Sequence, residues 1–538
     1  MKIGIFLAYG PQTRLSQEGL GRYLASLVKG FAEEKQEIVV VAPKWSVEDI
    51  TAVFREFNIP DDAIRFSIQE RVPAFWGILE FAIKFSRRKR VKERKYRILR
   101  TGIDILEKIW GYVIRLTNIV VFGLLSLLLV MLACILLPFL LVGGIVYSLA
   151  YLIKSIINRQ CGSPKTIWKK IRSITRKLSK HGLGIDEYMY NQFMNRTTEL
   201  LVDRANRQNV DIWFIPALFW PETQKINQIR AITVPDLVTE EFANLCADNV
   251  QYVYATEKCR ETVQTGEHFI TYCDYIREAV LHKQYGKYDA ISIPHPVNNM
   301  LGYIEIDSDI QKKLNSQINF TDAFARIQLR TLPGHSKYNS EIYQNYSFRN
   351  MKYIFYASQA RPYKNILNLV KAYHELVVKR YCNIKLVLTC NIEKSTEVYD
   401  YIEKNGLQMD ILSFCSVDVQ QLASLYRCAD LVVNPTLYEG GFPFTFGEGM
   451  SVGTPSLMSD IPQVRSVVEP YGLAEEMLFD PYNYHAMADK IEYGLQHRQE
   501  LYQKQLPLYE EMEKRTTAVV AKEYLSAFED FIQRDKEK

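Results

Sequence analysis

The stretch Leu431–Leu457, LVVNPTLYEGGFPFTFGEGMSVGTPSL, allows few folds. Leu431-Val433 is a short, apolar, largely β-branched run of the kind buried on both faces of a parallel sheet. Glu439-Gly440-Gly441 reads as the loop leaving its C-terminal end, and from about Thr445 the spacing turns helical until Gly453-Thr454-Pro455 stops it. Strand, glycine loop and helix in that order form the unit of an open α/β sheet, whose ligands bind outside the carboxyl ends of the strands. The helix start around Phe442-Thr445 turns its free backbone N–H groups, Pro443 having none, toward that loop and suits a diphosphate.

The same alternation runs along the chain. Ile3-Leu7 and Ile38-Ala42 read as strands around a helix opened by Gly19-Leu20-Gly21, whose two glycines let a backbone approach a ligand phosphate or acceptor closely. Further strands are expected at Asp211-Pro216, Arg230-Val234, Phe269-Tyr272 and Ala290-Pro294, with a helix at Tyr188-Asn206. A second set begins at Lys352-Ser358, continues at Ile384-Thr389 and reaches the Leu431 strand, preceded by a helix at Val419-Cys428. Arg361 and Lys364 follow the first strand of this set, where two cations can grip a diphosphate, the guanidinium forking onto oxygens and the ammonium acting as a point charge.

Glu439, eight residues, Glu448 and the terminal Gly453-Thr454-Pro455 resemble the family 4 retaining glycosyltransferases, whose hallmark separates its two glutamates by seven residues; here the loop is one residue longer. The resemblance covers the second half well and the first half loosely. It implies an α/β chain of GT-B form, two Rossmann-like domains facing a cleft. It also implies that Glu439 contacts the donor sugar's hydroxyls, Glu448 the ribose, and Arg361 and Lys364 the diphosphate, with retention by front-face attack and no protein nucleophile. Donor contacts are expected from Gly19, Gly21, Gly440, Gly441, Phe442, Pro443, Phe444 and Thr445 as well. Many relatives carry His before Asp-Leu at the fifth strand of the first domain; this chain has Pro235-Asp236-Leu237, so Asp236, and His295 in Ile293-Pro294-His295-Pro296, are the acceptor-side candidates. The wording Gly-Gly-Phe-Pro-Phe-Thr-Phe resembles mannosyltransferase-like members and favours GDP-mannose over another nucleotide-diphosphate sugar. No metal or other cofactor is expected, and Asp307-Ser308-Asp309 reads as a chance match to the metal motif of another glycosyltransferase fold.

Charge is unevenly spread. Residues 84–181 hold 21 Lys and Arg against three acids, a net of +18, whereas the whole chain sums to +5, which leaves −13 for the rest. Within this insert, Ile119–Ile153 is nearly uncharged and apolar, well beyond the roughly 20 residues that one membrane helix needs. Basic flanks on both sides predict that both ends lie on the cytoplasmic face, and a break at Pro138 or Gly143-Gly144 predicts a re-entrant hairpin or two short spans. Trp168, Ile171, Ile174 and Leu178 form one face of a basic helix suited to the interface. The nine scattered cysteines lack a Cys-x-x-Cys pair and indicate neither a disulfide framework nor a zinc site, and MKIGIFLAYG reads as a strand rather than a signal peptide.

These features predict a first Rossmann-like domain in two parts, 1–75 and 183–340, split by a membrane-associated insertion over 76–182. A donor domain at 341–515 and a helix at 516–538 packing back across the domains complete the chain, with the linker near Leu332-Arg349. The expected partners are a nucleotide-sugar donor, a lipid-linked or membrane-presented glycan acceptor and anionic membrane lipids of the cell inner membrane, with no nucleic acid. Two other readings stay open: a non-catalytic membrane-associated scaffold or sugar-nucleotide-binding module in polysaccharide assembly, and a nicotinamide-dependent oxidoreductase, disfavoured because the first loop lacks Gly-x-Gly-x-x-Gly.

Overall fold

Two parallel sheets organise the chain in a computed structural model, which describes residues 1–11, 13, 15, 19–70, 72–77, 111–132, 185–246, 250–305, 320–335, 348 and 350–537. The first has seven strands: β1 Lys2–Phe6, β2 Glu37–Pro43, β3 Ile64–Gln69, β4 Ile212–Ile215, β5 Arg230–Val234, β6 His268–Thr271 and β7 Ala290–Ser292, in spatial order β3-β2-β1-β4-β5-β6-β7. The second has six: β8 Tyr353–Tyr356, β9 Lys385–Leu388, β10 Ile411–Ser413, β11 Leu431–Asn434, β12 Ser456–Ser459 and β13 Leu478–Phe479, in order β10-β9-β8-β11-β12-β13. Strand order therefore reverses between β1 and β4 and again between β8 and β11. At such switch points the loops after neighbouring strands diverge and leave a crevice.

The apolar strands earn their places by burial. Every residue of β4, β6, β8 and β11 is buried, as a sheet covered by helices on both faces requires. Helix α1 (Gly19–Glu33) packs Leu24, Leu27, Val28 and Phe31 against the first sheet. The helix expected at Tyr188-Asn206 is α2 (Ile185–Ala205). Helix α3 (Val419–Cys428) starts on a capping box in which the Asp418 side chain accepts from the Gln421 N–H and the Gln421 side chain accepts from the Asp418 N–H. Helix α4 (Phe444–Ser451) follows Pro443, and α5 (Thr517–Glu537) returns to the first half, burying Val520, Ala521, Tyr524 and Phe528 beside Phe31 and Phe214.

The crossing between halves differs from the expectation. Ile293 belongs to the first core, whereas Met300, Ile304, Ala325, Leu329 and Leu332 pack into the second, so the chain changes halves at about residues 294–299 instead of near Leu332-Arg349. The linker expected near Leu332-Arg349 falls too late: the helix Phe320–Gln328 ahead of it already carries its apolar stripe onto α3, and Leu332 itself packs into the second core.

Part of the insertion is described. Residues 119–132 form a helix whose first N–H groups, those of Val120 and Val121, are accepted by the Asn118 side chain at 3.0 and 3.3 Å. Phe122 packs with Phe75, Val113, Ile114 and Phe193, while Ile119, Leu124 and Leu128 are 72%, 65% and 56% exposed. Among the described residues no helix is long and apolar enough to cross a membrane. The expected hairpin turn, the Trp168 helix and Asp307-Ser308-Asp309 lie outside the described residues.

Candidate active site

The loops after β8 and β11, on either side of the second sheet's switch point, bring three of the expected residues together. The loop after β8 carries Arg361 and Lys364 and ends at Asn365, whose left-handed backbone (φ 55°) turns the chain into the next helix. Its side chain donates to the carbonyls of Pro435 at 2.9 Å and Pro481 at 2.8 Å, tying the cation loop to the loop after β11. Lys364 Nζ thereby reaches Glu439 Oε1 at 2.6 Å, and Arg361 Nη1 donates to the Tyr363 hydroxyl at 2.8 Å.

The first half closes over this loop. Asp236, after β5, feels the charges of Arg361, Lys364 and Glu439; burial pushes its carboxyl up, while the Val238 N–H and the two cations hold it down. Gly440 has no room for a side chain: a Cβ there would lie 1.7 Å from the Pro235 carbonyl oxygen. A Cβ on Gly441 would meet Tyr272 at 2.9 Å. Tyr363 and Tyr438, both from the second half, sink into a core of the first, where the Tyr438 hydroxyl accepts from the Leu237 N–H. Asp236, Arg361, Lys364 and Glu439 thus share one interdomain cleft.

His295 stands at the same junction, its ring 3.9 Å from that of Tyr272, 4.5 Å from Phe444 at the start of α4 and 4.8 Å from Tyr23 of α1. Its Nδ1 is buried without a hydrogen-bond partner. Burial, with the Arg515 charge, lowers its pKa from 6.5 to about 3, so it is neutral at physiological pH. Because the unfolded chain takes up a proton that the folded imidazole refuses, the contribution present above about 6.5 is lost as pH falls toward about 3. Melting curves of His295→Phe are expected to show a shallower decline over that window than those of the parent.

Glu448 on α4 has both oxygens engaged. Oε1 accepts from Asn298 Nδ2 at 2.9 Å and Oε2 from the Tyr426 hydroxyl at 2.6 Å. Burial raises its pKa, which these two donors oppose. Sequence reading missed both partners, since Asn298 lies 150 residues away and no spacing links them. Gly21 also differs in its immediate duty: a Cβ there would strike the Leu15 carbonyl oxygen at 2.1 Å, so the chain's own loop uses the bare backbone. Gly19 is the first residue of α1. Phe442 joins the apolar cluster under α4, Pro443 caps that helix, and Thr445 Oγ1 accepts from Asn434 Nδ2 at 3.1 Å. Glu267, His268 and Asp535 bring possible metal-ligating atoms within 4.8 Å of one another, but at the start of β6, the sheet edge opposite the cleft.

Residues 340–515, about a third of the chain, match the family described as Glycosyl transferases group 1. No curated protein matches the chain in sequence. Among solved structures it is similar to sucrose-phosphate synthase from Thermosynechococcus elongatus (TM-score 0.54, 12% identity, 99% of each chain covered). It is similar also to a glycosyltransferase from Rickettsia africae (0.50, 11%, 99% of this chain and 98% of that one) and to Anabaena HepE in complex with UDP (0.50, 11%, 98% and 99%). Residues 340–515 are thus similar to the group 1 glycosyl transferases, and the whole chain shares the GT-B fold, two parallel α/β sheets, with these solved structures.

Proposed function

We propose that this chain transfers a sugar, mannose from GDP-mannose being favoured, from a nucleotide-diphosphate donor to a lipid-linked glycan at the cytoplasmic face of the inner membrane. The observation that carries the reading is the convergence of Lys364 and Glu439, 2.6 Å apart, with Arg361 and Asp236 within reach of their charges, at the loop that leads into α4. Breaking the bond from the anomeric carbon to the diphosphate puts negative charge on the leaving phosphate and positive charge on the sugar. Arg361, Lys364 and the start of α4 take up the first. Glu439 grips sugar hydroxyls and Glu448 the ribose, with Asp236 and His295 on the acceptor side. The acceptor oxygen attacks on the face the phosphate leaves, and its proton passes to that phosphate. Configuration is retained, and with protein cations at the diphosphate the reaction runs without a metal.

The membrane side of the proposal is supported by the exposed apolar face of helix 119–132, set in a sequence segment with a net charge of +18. Apolar contact with acyl chains and basic attraction to anionic headgroups act together there. A panel of labelled GDP-, UDP- and ADP-sugars tests the whole reading, with nucleoside diphosphate release and organic-phase label measured with and without anionic vesicles carrying extracted lipid acceptors. One donor is expected to dominate, to label the organic phase only with vesicles, and to do so unchanged in a chelator. A flat panel would overturn the enzymatic reading.

A further inference from the structure

We infer that Asn298 is a positioning residue that fixes Glu448 for recognition of the donor's ribose, so that it helps set the preference for ribonucleotide over 2′-deoxyribonucleotide donors. The inference rests on the ribose role proposed above for Glu448. A carboxylate offers about four acceptor positions. Two are taken, by Asn298 Nδ2 at 2.9 Å and the Tyr426 hydroxyl at 2.6 Å, and the remaining two match a pair of vicinal ribose hydroxyls. Tyr426 sits on α3 inside the second core, so its donor is fixed by the fold. Asn298 instead lies where the chain crosses between halves, an exacting place for a hydrogen-bond donor to be held.

The crossing is pinned there. The Met300 N–H donates to Ser451 Oγ at 3.0 Å, and that hydroxyl donates to the Glu448 carbonyl at 2.8 Å, so the segment carrying Asn298 is fastened to the turn of α4 that carries Glu448. Burial disfavours the charged carboxylate, and hydrogen bonds to the charged form counter it. Without the amide of Asn298, Oε1 loses its protein donor and the carboxylate is released from its fixed orientation. The charge on Arg22 of α1 also favours the ionised form, but it comes from the opposite half and leaves the aim of the oxygens to Asn298 and Tyr426.

Calorimetric titration of the full chain with GDP, UDP and their 2′-deoxy forms tests this. The parent is expected to prefer each ribonucleotide, and Asn298→Ala to lower that preference about tenfold, the range for a hydrogen bond to a charged group, mainly by weakening the ribo form. Asn298→Asp places two carboxyls face to face, and its ribonucleotide affinity is expected to recover as pH falls and the new acid donates a proton to Glu448. Equal losses for ribo and deoxy forms in Asn298→Ala, or no pH-dependent recovery in Asn298→Asp, would overturn the positioning role. A parent that binds ribo and deoxy forms alike would instead remove the ribose assignment of Glu448 itself, and this proposal with it.

Discussion

Alanine at both Arg361 and Lys364 is expected to cut nucleoside diphosphate release by about three orders of magnitude, the scale on which preorganised groups stabilise developing charge. The pair sits at the second sheet's switch point, and Lys364 is already oriented by Glu439. On the proposed reading, the donor's phosphates compete with that carboxylate for the ammonium and leave Glu439 to turn to the sugar. Lys364→Ala alone also strands the charge of Glu439 beside Asp236, so the melting midpoint must be followed with the rate. A folded double variant with less than a tenfold fall in turnover would place the leaving group elsewhere.

The second large effect is expected from Gly440→Ala. The added methyl would lie 1.7 Å from the Pro235 carbonyl oxygen, a backbone atom that cannot swing aside, so the two halves could not approach as closely as they do here. The second half and its cation loop need not change to accommodate it. Nucleotide affinity is therefore expected to stay within about threefold, while transfer falls by about a hundredfold, the penalty of holding reacting groups about an ångström out of place. Titration and turnover on the same preparation separate the two. Parallel losses in both would mean that Gly440 serves the donor pocket and not closure.

Much of this was legible in the sequence. The Val- and Ile-rich strands, the loop Glu439–Gly441 and the helix at Phe444 follow from hydrophobic period and glycine placement, because parallel strands covered on both faces leave continuous apolar runs. β3, β10, β12 and β13 were not foreseen: β12, Ser-Leu-Met-Ser, is wholly buried yet lacks a β-branched residue, β10 has three residues and β13 two. The crossing was placed too late, at Leu332-Arg349, although Ala325, Leu329 and Leu332 already pack into the second core. In the cleft, residue types and order singled out Arg361, Lys364 and Glu439, and the structure joins Lys364 to Glu439. The clamp on Glu448 could not be found that way, since Asn298 and Tyr426 become its neighbours only through folding.

The return of α5 to the first half bears on how the protein is made. Tyr524 and Phe528 pack on Phe31 and Phe214, and Gly30 lets Ala521 come so close that a methyl on the glycine would lie 2.3 Å from the alanine's own. During vectorial synthesis the amino-terminal half leaves the ribosome first, but it lacks the aromatic surface that completes its interior until more than 500 residues have been joined. The second half, whose cores hold no residue of α5, can complete its interior while the first still waits for that helix. The first-made half is thus the one whose interior closes last, on the helix at the far end of the chain.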